Sequence, residues 1–82
     1  MTETRENIKW LEVNCIGLKC PLPVMRLEKA LLAGHSHIQI ITDDPISVID
    51  IPLACAQNNT NLLEKVENEN FYQFFVENLL EK

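Results

Sequence analysis

The chain has 82 residues, 46% of them hydrophobic and 23% charged, with a net charge of −5. This length supports one small domain with a modest core. The acidic balance argues against direct binding to a nucleic-acid backbone, and no apolar run approaches the roughly 18 residues that a membrane-crossing helix needs.

Residues 1–7 are polar and mixed in charge, so they read as a flexible tail rather than a signal segment, with a single domain expected over residues 8–82. Ile8–Val13 alternates loosely and is expected to be a strand, with Ile8 and Trp10 turned to the core and Val13 a third candidate. Asn14–Lys19 reads as a loop, with Gly17 supplying a turn that other residues resist. Cys20-Pro21-Leu22-Pro23 then opens an amphipathic run. Proline suits the first turn of a helix, where its missing N–H is not needed. A helix from about Leu22 to Leu32 is predicted, starting at Pro21 or Pro23. Val24, Leu27 and Leu31 fall on one face with Met25 or Leu32, and Ala33-Gly34 forms the stop.

His37–Thr42 is rich in β-branched residues and reads as a second strand, ended by Asp43-Asp44-Pro45. A strand, a helix and a strand in succession point to a parallel or mixed sheet with a right-handed crossover. Asp44 or Ser47 is a candidate helix cap. Pro52 is awkward inside a helix, so a kink is expected there, or a turn leading into a helix over about Ile51–Gln57, ended by Asn58-Asn59-Thr60. The last third reads as a hairpin: a strand over Leu62–Glu67, a turn at Asn68-Glu69-Asn70 and a strand over Phe71–Glu77. Phe71, Phe74, Phe75 and Leu79 also fit a helical face, but aromatic and β-branched enrichment favours a strand. Trp10 and the Phe71–Phe75 cluster are assigned to the core.

Cys20 is the residue with the clearest chemistry. At the positive end of a helix a thiolate is stabilised over a thiol, and the thiolate is the nucleophile. The N–H groups of Leu22, Val24 and Met25 are the donors left to face it. Residues 1–41 hold five Lys/Arg against four Glu, whereas residues 42–82 hold two Lys against eight Asp/Glu. Lys19, Arg26 and Lys29 therefore read either as a cationic field around the sulfur or as a solvated helix face. Three cysteines without a signal segment fit a reducing cytosol. Cys55 is expected to pack in the core. Cys15 is either a half-buried strand-end residue or a resolving thiol for Cys20. The spacing Cys15-x4-Cys20, even with His35 and His37, lacks the pairing of a zinc site. No metal or other cofactor is expected. Asp43, Asp44 and Asp50 read first as caps and turn formers.

The run Gly17-Leu18-Lys19-Cys20-Pro21-Leu22-Pro23-Val24-Met25 resembles the TusA/SirA-like sulfur-carrier family. Thr42-Asp43-Asp44-Pro45, Asp50-Ile51-Pro52 and Cys55 resemble its later elements, so the likeness covers about residues 8–77. It implies a β-α-β-α-β-β α/β fold, a two-layer sandwich with two helices on one face of a four-stranded mixed sheet. It also implies a cytoplasmic sulfurtransferase that accepts a persulfide on Cys20 from a cysteine desulfurase or another sulfur donor protein. The sulfur then passes to a downstream acceptor protein, in tRNA 2-thiouridine formation, molybdenum-cofactor maturation or sulfur oxidation. In this frame Pro21 and Pro23 mark the helix start, and Lys19, Met25, Arg26, Lys29, Asp43 and Asp44 are candidate partner-binding residues. The chain departs from the family pattern at Asn14, where an aspartate is common, and at Glu28, where a basic residue is common. Two rival readings are a Cys15/Cys20 redox switch and a non-catalytic interaction module on the same fold.

Overall fold

The computed structural model describes residues 9–79; the expected N-terminal tail and Ile8 lie outside the described residues, as do residues 80–82. The elements run β1 (Leu11–Cys15), α1 (Leu22–Leu32), β2 (His37–Thr42), α2 (Ser47–Gln57), β3 (Thr60–Glu67) and β4 (Tyr72–Asn78). The four strands form one mixed sheet in the order β1-β2-β4-β3. β1 and β2 are parallel, and both β2–β4 and β3–β4 are antiparallel.

Alternation along the strands decides which side chains meet the helices. Ile38, Ile40 and Thr42 of β2 face inward, in register with Leu11, Val13 and Cys15 of β1. Across the other ladder they meet Val76, Phe74 and Tyr72 of β4. Leu27, Ala30 and Leu31 of α1, and Ile51, Ala54 and Cys55 of α2, close over this face to complete the core. The spacing within each helix places those residues on one stripe. Cys55 is therefore a core residue, as expected.

Several expectations shift. β1 begins later and runs further than Ile8–Val13, so Cys15 is its last residue and is fully buried rather than sitting in the loop. Its inward residues are Leu11, Val13 and Cys15, which sends Trp10 to the opposite side of the sheet. There the indole packs edge-on against Phe75 at 5.2 Å and His37 at 5.3 Å between ring centroids. Trp10 and Phe75 are thus partners on the far face, while Phe74 alone of the three phenylalanines enters the helix-side core.

Of the two alternatives at Pro52, a kinked helix or one that begins near Ile51, the later start does not hold: the second helix starts at Ser47 and passes through Pro52 without ending. Proline there removes a bond to the carbonyl of Val48 and costs roughly 3 kcal/mol. Ser47, Ile51, Ala54 and Cys55 are all buried on the face turned to the sheet. Burying a single large aliphatic side chain contributes about 1.5–3 kcal/mol, so the stripe outweighs one broken turn. Neither Asp44 nor Ser47 is the cap residue, which is Ile46.

Two side chains tie the helices down. Asn78 Nδ2 donates to the carbonyls of Leu31 and His35, at 3.1 and 3.0 Å, satisfying the C-terminal end of α1. Asn58 Nδ2 donates to Glu28 Oε2 at 3.2 Å, joining the end of α2 to the middle of α1. This contact gives Glu28 a structural partner.

Phe74 carries the largest fully buried side chain. Phe74→Ala is expected to destabilise the fold by about 3–5 kcal/mol, whereas Leu32→Ala, at an 83% exposed position, should change stability by less than about 0.5 kcal/mol. Denaturant unfolding of both variants checks this pair.

Candidate functional site

Because β1 and β2 are parallel neighbours, the loops that follow them leave the sheet at the same end. The first loop carries Cys20, and the second carries Asp43 and Asp44 and leads into α2 with Asp50 in its first turn. Residues 23 to 30 positions apart in the chain thus converge at one end of the sheet.

The two loops are fastened by backbone amides donating to carboxylates. Asp43 Oδ1 accepts from the Gly17 N–H at 3.0 Å. Asp44 Oδ2 accepts from the Cys20 N–H at 2.7 Å, and Asp44 Oδ1 accepts from the Ile46 N–H at 3.2 Å. Asp44 is only 4% exposed, and a buried carboxylate is tolerated only when such donors surround it. The Thr42 hydroxyl accepts from the Asp44 N–H at 3.1 Å and lies 3.4 Å from the Ser47 hydroxyl, completing the turn. Gly17 has a φ of +86°, the left-handed geometry its position was expected to need. Asn14 Oδ1 accepts from the Ile16 N–H at 3.0 Å, which turns the chain out of β1.

Cys20 is exposed, and its Sγ donates to Asp50 Oδ2 at 2.9 Å. This reverses the expected electrostatics. Of the α1 donors expected to face the sulfur, the Leu22 N–H is taken by the Lys19 carbonyl at 2.8 Å and the Met25 N–H by the Pro21 carbonyl at 3.0 Å. The helix begins at Leu22, with Pro21 as the cap residue and Pro23 buried in the first turn. The Cys20–Pro21 peptide is cis. The hydrogen bond to Asp50 pushes the Cys20 thiol above its usual pKa, with partial loss of water and the charges of Asp50 and Asp44 acting the same way. The resting sulfur is a thiol tethered to a carboxylate, not a thiolate held by a helix end.

The other expected site residues separate into groups. Lys19 lies in the clamped loop beside Cys20. Met25, 54% exposed, projects from the first turn of α1 near the exposed Leu22. Arg26 and Lys29 point elsewhere: with Leu11, Val13, Ala30, Ala33 and His35 they line an open groove of about 380 Å³ between α1 and the edge strand β1. The Arg26 charge acts on Cys15, whose pKa is nevertheless raised because burial dominates. So the cationic cluster is split, and its helical members do not bathe Cys20. Asp44 is too buried to form a partner surface and serves as a clamp, while Asp43 is exposed but has one oxygen committed to the Gly17 N–H. Cys15 and Cys55 are free thiols within the core, and burial lifts Cys55 to about 11. No group of three or more candidate metal ligands occurs among the described residues.

Asp50 is the site residue that sequence reasoning missed. The signal was available in part. Asp50 follows Ser47 by three positions, so a helix started at Ser47 puts it in the first turn, at the end of the sheet where the β1 loop emerges. Pro52 left the helix start undecided between that position and one near Ile51.

An exposed apolar stripe lies on α2, the helix that carries Asp50. Ile46, Ile49 and Leu53 lie one helical turn apart at the start and outer face of α2, and each is at least half exposed. Fold and site together define a small α/β domain built to present one thiol. The family model described as "Sulfurtransferase TusA" matches residues 11–78. "Sulfur carrier protein TusA" of Allochromatium vinosum is 34% identical over 67 residues, covering 79% of this chain and 88% of that one. A relative from Archaeoglobus fulgidus is 40% identical over 55 residues, 65% of this chain and 71% of its own. The crystal structure of a SirA-like protein from Desulfitobacterium hafniense superposes with a TM-score of 0.71 at 20% identity, covering 82% of this chain and 95% of that one, and shares the fold. The chain belongs to the TusA family of sulfurtransferases, proteins that relay sulfur.

The carboxylates beside Cys20 disfavour its anion, so thiolate is scarcer at neutral pH than in an ordinary cysteine. Alkylation of Cys20 by iodoacetamide should therefore keep accelerating, about tenfold per pH unit, to above the usual thiol pKa. Cys15 and Cys55 should stay unmodified until the protein unfolds, as peptide mass mapping would show. Asp44→Ala, which strips acceptors from two amides, should destabilise the domain by about 1–3 kcal/mol and speed hydrogen exchange at Cys20.

Proposed function

We propose that the chain carries sulfur as a persulfide on Cys20. The sulfur comes from a donor protein, a cysteine desulfurase or another sulfurtransferase, and passes to a downstream acceptor protein. The observation that carries this reading is that Cys20 is the one cysteine of the three that is exposed. It also lies within the region matched by the family. Persulfide relay needs one accessible sulfur nucleophile and a surface that brings donor and acceptor to it. The clamped loop supplies a fixed position, and the apolar stripe of Ile46, Ile49 and Leu53 with Leu22 and Met25 supplies a surface suited to protein docking. The acceptor belongs to one of the pathways that the resemblance implies: tRNA thiolation, molybdenum-cofactor maturation or sulfur oxidation.

Incubation with a cysteine desulfurase and cysteine should add about 32 Da, one sulfur atom, to the peptide bearing Cys20, and a thiol reductant should remove it. Cys20→Ser should abolish the gain, and Cys15→Ala should leave it intact. Sulfur retained by Cys20→Ser would refute the reading. Loss on replacing either cysteine alike would favour a Cys15/Cys20 redox pair instead.

A further inference from the structure

We propose that Asp50 is a catalytic residue of sulfur loading, taking the proton from Cys20 as the sulfur attacks and returning it to the departing donor thiol. The inference rests on the persulfide reading above and assigns a role to a residue which that reading leaves unused.

The geometry carries the argument. Sγ of Cys20 and Oδ2 of Asp50 are 2.9 Å apart, a distance at which the proton already lies between them. Asp50 is the carboxylate hydrogen-bonded to the sulfur, whereas Asp43, exposed and bonded through one oxygen to the Gly17 amide, is not among the groups that act on Cys20. Both oxygens of Asp44 are engaged by the Cys20 and Ile46 amides, and its burial prevents it from turning toward the sulfur. His35 lines the groove beside β1, and His37 packs against Trp10 on the far side of the sheet. Arg26, the cation on the adjoining helix, acts on Cys15 rather than on Cys20.

Docking makes a local acceptor necessary. Asp50 is half-buried on the flank of the stripe formed by Ile46, Ile49 and Leu53. A donor protein that covers this stripe excludes the water to which a free thiol loses its proton. The proton must then move to a group inside the contact.

The step balances without an added oxidant or reductant. The donor presents a neutral persulfide, R–S–SH. The Cys20 proton passes to Asp50 as Sγ bonds to the outer sulfur and the donor S–S bond breaks. The electron pair stays on the inner donor sulfur, which leaves as thiolate and takes the proton from Asp50. Cys20 becomes Cys–S–SH and the donor becomes R–SH; the transferred sulfur keeps its oxidation state.

The carboxylate therefore has opposite effects in two assays. In open solution it suppresses the thiolate, so its removal should speed attack on a small electrophile. In a docked complex it accepts the proton, so its removal should slow transfer. The test compares wild type, Asp50→Asn and, as a second variant, Asp50→Ser. Iodoacetamide alkylation of Cys20 near neutral pH should be faster in both variants, with Cys15 and Cys55 still protected as the sign of an intact fold. Loading from a cysteine desulfurase with cysteine, followed by mass spectrometry, should be slower by about 100-fold, the typical loss on removing a general base. Loading at the wild-type rate would overturn the role of Asp50. So would slowing of both reactions, which would mean that Asp50 only positions the loop. A wild-type protein that takes up no sulfur would overturn the carrier reading itself, and this inference with it.

Discussion

The buried carboxylate of Asp44 is the constraint on which the site depends. Parallel pairing of β1 and β2 brings two loops together, and this carboxylate binds an amide from each: Cys20 on one side, Ile46 on the other. A carboxylate this buried needs charge-assisted donors, and such hydrogen bonds are about twice as strong as neutral ones. The need runs both ways. The loop holds the charge in place, and the charge fixes the backbone from which the reactive sulfur projects.

Once the loop is fixed, the neighbouring charges set the character of the sulfur. The hydrogen bond to Asp50, partial loss of water and the charges of Asp50 and Asp44 together favour the protonated form of Cys20. For a relay protein this has a physical use. An exposed thiolate reacts with any oxidant or disulfide it meets, because the anion is the nucleophile. A thiol tethered to a carboxylate presents less of that anion in solution. Three of the eight carboxylates in the acidic half of the chain, Asp43, Asp44 and Asp50, engage the loop that carries the cysteine motif.

The two helices contribute unequally. α1 turns Leu27, Ala30 and Leu31 to the core and ends against Asn78, so it mainly anchors the fold. α2 buries Ile51, Ala54 and Cys55 while its outer surface holds both the apolar stripe and Asp50. Extending it past Pro52 to Ser47 is what places a carboxylate within reach of Cys20. The cost of an internal proline is thus tied to the position of the site.

The sequence alone determined the order of elements, the bounds of α1 and β2, the strand character of the aromatic C-terminal segment, the core role of Cys55 and the prominence of Cys20. Each of these follows from local rules: periodicity, proline geometry, β-branched enrichment and turn residues. Tertiary structure decided the rest, because the remaining questions concern pairs of distant residues. Which face of β1 is inward depends on its register with β2, and that register buried Cys15 and sent Trp10 to the far side. Whether α2 survives Pro52 depends on what its buried face meets. The partners of the Cys20 sulfur depend on parallel strands bringing two loops to one end of the sheet, where a carboxylate 30 positions away displaces the helix end as the controlling charge.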